Sequence, residues 1–103
     1  MEKHVSLSDN KTEILLKKGD FLTITLSENG TTGFLWHLAG NQGKGANLVA
    51  SEFKKNGDGM GAAGKRIIKW EFLESGSYLL KYELKQAWGT DIDQTFEIRV
   101  TVS

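Results

Sequence analysis

Apolar residues recur at every second position through much of the chain, and this period constrains the fold more than any other feature. Leu22, Ile24 and Leu26 fall on one face of an extended segment, with polar residues between them. This spacing is typical of β-strands with one buried face, and no stretch has the 3.6-residue period of an amphipathic helix. Similar alternation occurs at residues 34–38, 68–72, 78–85 and 96–102, and more weakly at 5–7, 14–17 and 48–53.

Seven or eight such segments, separated by turn-forming residues, predict an all-β protein. The expected architecture is an immunoglobulin-like antiparallel β-sandwich. The 103 residues are the length of one such unit, so we expect a single domain over residues 1–103. Trp36, in the middle of one alternating run, is the candidate core tryptophan.

The segment Glu-Asn-Gly-Thr-Thr-Gly-Phe at residues 28–34 determines how two of the strands are related. Asn29-Gly30 between alternating runs favours a two-residue hairpin turn. That hairpin would pair Ile24 with Leu35, so the apolar faces of the two strands would point in opposite directions. The conflict disappears if the strands lie in different sheets and face each other across one core. We therefore interpret the segment as an inter-sheet loop, with the hairpin as the alternative.

The composition argues against several classes of function. Thirteen basic residues balance thirteen acidic ones, so we expect neither nucleic acid nor an anionic membrane as a partner. The chain has no cysteine, which excludes disulfides, thiol nucleophiles and thiolate metal sites. Its two histidines are too few for a histidine-rich metal site, and His37 is expected to be a solvated surface residue. We expect no metal, no cofactor and no enzymatic activity.

Residues 59–65 fit the GxxxxGK pattern of a phosphate-binding loop. Arg66 follows where that pattern needs Ser or Thr, and an alternating strand follows where it needs a helix. Nucleotide binding is therefore disfavoured, and a solvated loop is the simpler interpretation.

Three segments with unusual content remain: residues 28–34, 57–65 and 85–91. Alternate connections of a sandwich emerge at the same end, so we expect these segments to converge on one edge. Loops at such an edge commonly bind partners. Trp88 in the third segment is either a lid on the core or an exposed anchor for a partner.

These segments resemble the three binding loops of the chagasin family, immunoglobulin-fold inhibitors of papain-family cysteine peptidases. The resemblance covers the whole chain. The family motifs are Asn-Pro-Thr-Thr-Gly followed by an aromatic residue, a Gly-x-Gly-Gly-like loop, and Arg-Pro-Trp. The matching residues are Asn29, Gly30, Thr31, Thr32, Gly33 and Phe34, then Gly61, Ala62, Ala63 and Gly64, and finally Gln86, Ala87 and Trp88.

The resemblance implies a reversible, competitive inhibitor of papain-like cysteine peptidases that is monomeric when free. The first loop would enter the peptidase cleft with Thr31 near the catalytic cysteine, while the other two would contact the sides of the cleft. All the matching residues would then contact the peptidase. The alternative is a non-inhibitory immunoglobulin-like module for adhesion or carbohydrate binding that uses the same edge.

The chain departs from the family motifs at several positions. Gly30 replaces proline, which leaves the first loop less preorganised, typically by ~0.4–1 kcal/mol of chain entropy. Ala63 replaces a glycine and would be strained at positive φ. Gln86 and Ala87 lack the arginine charge and the proline stiffness. These departures imply a weaker or differently selective inhibitor.

Asn29-Gly30-Thr31 also fits the Asn-x-Thr acceptor of N-glycosylation, and a glycan there would block entry to a cleft. The first ten residues lack the apolar core of a signal peptide. We therefore expect a cytoplasmic protein. A lysosomal, periplasmic or secreted location is the alternative if a leader has been removed.

Overall fold

The computed structural model describes residues 2–28, 33–39, 44–55, 64–86, 88–89 and 91–103. A three-residue 3-10 helix follows the first strand at Leu7–Asp9. No helix in the described part of the chain is long and apolar enough to cross a membrane. The described residues form eight strands: β1 (Glu2–Ser6), β2 (Thr12–Leu16), β3 (Phe21–Glu28), β4 (Phe34–Ala39), β5 (Ala46–Lys55), β6 (Gly64–Phe72), β7 (Gly76–Gln86) and β8 (Ile92–Val102).

The strands form two four-stranded sheets, with the orders β1-β3-β6-β5 and β2-β8-β7-β4. The predicted β-sandwich is confirmed. Four of the pairings are antiparallel, but β1 pairs with β3 and β2 pairs with β8 in parallel. The antiparallel expectation is thus corrected at these two edges. Alternation shows which side chains face the core, but it does not show the direction of the neighbouring strand.

β3 and β4 lie in different sheets, so the residues between them connect the two layers. The inter-sheet interpretation is confirmed and the hairpin alternative is excluded. Leu22, Ile24 and Leu26 are completely buried, and Trp36 is buried in the same core. Leu38, expected on the same inner face as Trp36, is instead exposed near the end of the edge strand β4.

The core lies between the two sheets; among the described residues its buried side chains come from seven strands, and the partly buried Ala46 of β5 packs against it. Each fully buried Leu, Ile or Phe contributes roughly 1.5–3 kcal/mol through the hydrophobic effect. A hydrogen bond between the two sheets lies in the core: the indole N–H of Trp70 on β6 donates to the hydroxyl of Tyr82 on β7 at 3.0 Å. This bond gives two large amphipathic side chains a fixed relative position.

His37 on β4 is not the solvated surface residue that the alternation predicts. It is only partly exposed, and its Nε2 is buried without a hydrogen-bond partner among the described residues. Its cross-strand neighbour on β7 is Glu83. The alternation correctly assigns His37 to the outer face, but it does not indicate how far neighbouring side chains cover that face.

Burial raises the pKa of Tyr82 to about 12, against an ordinary value of 10.0. The folded protein therefore retains this proton between about pH 10 and pH 12, whereas the unfolded chain loses it. Stability from this residue is intact below pH 10 and should fall with rising pH by up to about 1.4 kcal/mol per pH unit in that interval.

Comparing the wild type with Tyr82→Phe by denaturant unfolding between pH 8 and pH 12 isolates this contribution. The variant should be less stable at pH 8, because the Trp70 N–H loses its acceptor. The difference should then shrink above pH 10. A difference that stays constant with pH would contradict the assignment.

Candidate functional site: the loop end of the sandwich

Strands β3, β5 and β7 end at one end of the sandwich, and β4, β6 and β8, which follow them in the chain, begin there. Glu28 and Lys55, the last residues of β3 and β5, both pair with Gly64, the first residue of β6. In the other sheet Phe34, the first residue of β4, pairs with Gln86, the last residue of β7. This end, called the loop end below, carries the residues that connect these strands, 29–33, 56–63 and 87–91. From here on these connections are called the first, second and third segments. The predicted convergence of the three segments on one edge is confirmed at the level of the strands that carry them.

Five of the thirteen residues predicted to contact a partner are described, and all five lie at the loop end. They are Gly33, Phe34, Gly64, Gln86 and Trp88. The other eight lie outside the described residues: Asn29, Gly30, Thr31, Thr32, Gly61, Ala62, Ala63 and Ala87. Contact with a partner stays a prediction for the whole set.

Trp88 of the third segment lies against Gly33 of the first, so the two segments are in contact. Gly33 has φ +78°, and a Cβ placed on it would lie 2.7 Å from Cη2 and 3.3 Å from Cζ2 of the Trp88 indole. The indole nevertheless stays 76% exposed. Trp88 is therefore an exposed side chain resting on the backbone of Gly33, and the alternative of a lid on the core is excluded.

The base of the third segment is fixed by a short turn. The amide of Gly89 donates a hydrogen bond to the carbonyl oxygen of Gln86 at 3.1 Å, so the chain reverses immediately around Trp88. Gln86 pairs with Phe34, whose ring packs against the core. The first and third segments therefore leave from paired positions of two adjacent strands.

Gly64 has no space for a side chain. A Cβ at this position would lie 2.5 Å from the carbonyl oxygen of Lys54 and 2.5 Å from Cζ of Phe53. The ring of Phe53 thus packs directly on the backbone where the second segment joins β6. The glycine here is explained by close packing between neighbouring strands.

A buried carboxylate joins the strands beneath the first two segments. The side chain of Glu28 is completely buried. Its Oε2 accepts a hydrogen bond from the backbone N–H of Trp36 at 2.9 Å, and its Oε1 accepts one from Nη2 of Arg66 at 2.8 Å. The indole N–H of Trp36 donates to the carbonyl oxygen of Ser27 at 2.8 Å. We call the contacts of Glu28 with Trp36 and Arg66 the Glu28 bridge.

The loop end also carries a pair of like charges. Lys54 and Lys65 are directly opposite each other on β5 and β6, next to the second segment, and both are exposed. Like charges at such positions destabilise a strand pair. Neither lysine has an acidic partner among the described residues. Two like positive charges therefore lie side by side next to the second segment, although the whole chain has no net charge.

The chemistry of the loop end is that of a contact surface. It offers an exposed indole, glycine backbone and two lysines on strands whose ends are fixed by packing and hydrogen bonds. No group of three or more metal-ligating side chains occurs within the described ranges.

Residues 15–102 match the family described as Chagasin family peptidase inhibitor I42. The chain belongs to the chagasin family. The resemblance inferred from the three motifs is thereby confirmed, as is the prediction of an inhibitor that is not an enzyme. No protein of curated function matches the sequence.

Solved structures of other proteins share the fold of this chagasin family member. They include the cysteine protease inhibitor EhICP2 of Entamoeba histolytica, with a TM-score of 0.89, 18% identity, and coverage of 99% of this chain and 96% of that chain. Amebosin has a TM-score of 0.82 and 23% identity, with coverage of 100% and 99%. PbICP-C, solved in complex with falcipain-2, has a TM-score of 0.71 and 22% identity, with coverage of 98% and 99%. At these identities the likeness establishes the fold.

Replacing Gly33 with alanine should disturb the contact between the first and third segments. The new Cβ would meet the Trp88 indole at 2.7 Å, and alanine is disfavoured at φ +78° by about 1–2 kcal/mol. We expect a lower free energy of unfolding and a shifted indole N–H resonance of Trp88, measured by denaturant titration and ¹H–¹⁵N NMR.

Gly89→Ala is the matched control, since a Cβ there would meet no atom closer than 3.6 Å and should leave stability nearly unchanged. In a protein that already carries Trp88→Ala, Gly33→Ala should lower the free energy of unfolding only through the cost of alanine at positive φ, because the clash with the indole is gone. Equal effects of Gly33→Ala with and without the indole would contradict the contact.

Proposed function

We propose that the chain inhibits papain-family cysteine peptidases reversibly and competitively, by occluding the active-site cleft with the loop end. The observation that carries this proposal is the contact between the exposed Trp88 and Gly33, which brings residues of two of the three motif segments together. Membership of the chagasin family supports it. The complex of PbICP-C with falcipain-2 supports it by analogy, since that inhibitor shares the fold.

In this proposal the first segment enters the cleft and Thr31 lies near the catalytic cysteine, with Asn29, Thr32 and Gly33 beside it. No bond is made or broken, because exclusion of substrate is sufficient for inhibition. An interface of ordinary inhibitor size, ~1,600 Å² in total, is expected. The remaining proposed contacts lie in the three segments or at the strand ends next to them: Gly30 and Phe34 for the first, Gly61, Ala62, Ala63 and Gly64 for the second, and Gln86, Ala87 and Trp88 for the third.

The contact of Trp88 with Gly33 bears on the missing proline of the first motif. A loop that is ordered only on binding loses affinity through its conformational entropy. Gly30 lacks the restriction that proline would provide, but the indole restricts Gly33 at the other end of the same segment before any partner arrives. We therefore propose that Trp88 has two functions, as a contact residue and as a support for the first segment.

We further propose that the free inhibitor is a monomer that functions where Asn29 stays unglycosylated, such as the cytoplasm. A glycan on Asn29 would enlarge the first segment beyond the width of a peptide-binding cleft. A lysosomal, periplasmic or secreted location remains the alternative.

The 76% exposure of Trp88 does not by itself separate the inhibitor from the alternative expected from the sequence, a non-inhibitory binding module for adhesion or carbohydrate. An exposed indole serves equally well as a platform for a sugar ring or for a protein surface. Inhibition kinetics separate the two candidates, because such a module would leave peptidase activity unchanged.

Added to papain with a fluorogenic peptide substrate, the chain should inhibit fully near a one-to-one ratio. Thr31→Glu should remove most of the affinity with the fold intact, because a bulky charge would have to be desolvated inside the cleft. Circular dichroism and thermal unfolding check the fold. Ser77→Glu, the same new charge at an exposed position far from the loop end, is the matched control and should inhibit like the wild type. No inhibition by the wild type at high micromolar concentration would refute the proposed function.

Trp88→Ala should weaken inhibition by roughly 2 kcal/mol or more, as expected for a central aromatic contact. Its stability should change little, since the side chain is exposed. Leu15→Ala is the matched control, because Leu15 is also 76% exposed but lies on β2. The inhibition constants of the two variants against papain decide the point. Similar constants for both would remove Trp88 from the interface.

A further inference from the structure

The inner faces of two adjacent strands end in opposite charges at the loop end. On β3 the buried row Leu22, Ile24 and Leu26 continues to Glu28. On β6 the inner row begins with Arg66, which pairs with Leu26 across the two strands. Both charges occupy positions where the period of two would place apolar residues, as it does elsewhere along these strands.

Both oxygens of the Glu28 carboxylate are used by groups that flank the binding segments. Glu28 immediately precedes the first segment, and the Trp36 amide that donates to it lies on the strand after that segment. Arg66 lies two residues after Gly64, where the second segment joins β6, and its Nε and Nη2 both contact the carboxylate. A single side chain therefore fixes the spacing of both ends of the first segment and one end of the second.

Arg66 extends the bridge to the second segment through an aromatic ring. Its guanidinium carbon lies 5.9 Å from the centroid of the Phe53 ring. That same ring lies against the backbone of Gly64. The position of Arg66 and the packing at Gly64 are thus coupled, and Glu28 determines the position of Arg66.

Stability alone is a weak reason for an ion pair whose carboxylate is completely buried and whose guanidinium is mostly buried. Removing two charges from water is costly, and apolar residues of similar volume are often neutral or stabilising replacements. What the pair provides and apolar residues do not is direction, because each hydrogen bond fixes an angle as well as a distance.

We propose that Glu28 and Arg66 are positioning residues that hold the first and second segments in the geometry that binds the peptidase. The inference rests on the proposed function and adds residues that touch no partner. Their contribution is to affinity through preorganisation, not to the stability of the sandwich.

The test separates these two contributions with the double variant Glu28→Leu/Arg66→Leu. Its melting temperature should fall below that of the wild type only by the effect of the buried Trp36 amide that loses its acceptor, while its inhibition constant for papain should rise about tenfold or more. Glu28→Leu alone should lower stability further, and lower affinity, because it leaves both the Trp36 amide and Arg66 without their acceptor. Adding Arg66→Leu should then restore the part of the stability that the unpaired guanidinium cost and leave affinity low. If the pair had only a structural role, adding Arg66→Leu to Glu28→Leu would restore stability and affinity together.

Tyr78→Phe is the control at the opposite end of the sandwich. It removes a hydrogen bond from the Tyr78 hydroxyl to the carbonyl oxygen of Glu74, 2.7 Å long, and should lower stability without changing the inhibition constant. A folded double variant that inhibits papain as well as the wild type would overturn the proposal.

Glu28→Gln provides a readout that does not depend on inhibition or on the double variant folding. It keeps the shape of the side chain and weakens the bond to Arg66, so ¹⁵N order parameters of Gly33 and Gly64 should fall below the wild-type values. If the wild type fails to inhibit papain, the proposed function is wrong, and these order parameters still test the positioning. Unchanged values at both glycines would refute it.

Discussion

The structure depends on the packing of two strands that are consecutive in the chain but belong to different sheets. The buried row of β3 and Trp36 of β4 contribute to one core, so the chain must cross from one layer to the other between them. A tight hairpin at that place would have pointed one of the two apolar faces to solvent. The crossing leaves the first motif at the end of the sandwich, next to the other two connections. The hydrophobic effect thus positions the segment that we propose enters the peptidase cleft, before any interaction with a peptidase.

At this end, preorganisation comes from contacts between segments. Proline would stiffen the first and third motifs locally, but this chain has Gly30 and Ala87 at those positions. The Trp88 indole on Gly33 and the Glu28 bridge act instead between segments and between strands. Restriction by packing differs physically from restriction by proline, because it is lost when a distant neighbour changes. Affinity in this inhibitor should therefore be sensitive to residues that never touch the peptidase.

The sequence determines the strands, the two-layer arrangement and the end at which the motifs meet, because a period of two and a register conflict are local properties of the chain. It does not determine that β1 pairs in parallel with β3 and β2 with β8, since alternation looks the same in parallel and antiparallel strands. Alternation also does not show that Nε2 of His37 is buried. In the sequence, Glu28 and Arg66 only interrupt two rows of alternating apolar residues. A charged residue at such a position is equally consistent with the end of a strand. Their pairing needs the register of β3 with β6.

The loop end is the proposed peptidase-binding surface. Titration of the ¹⁵N-labelled chain with papain whose catalytic cysteine carries a small blocking group would map the resonances that change on binding. The amides of Gly33, Gly64 and Gly89 and the Trp88 indole should shift or broaden, while the amides of Ser77 and Ser103 at the other end should stay unchanged. Changes centred on the opposite end or on an outer sheet face, with the loop end unaffected, would contradict this proposal.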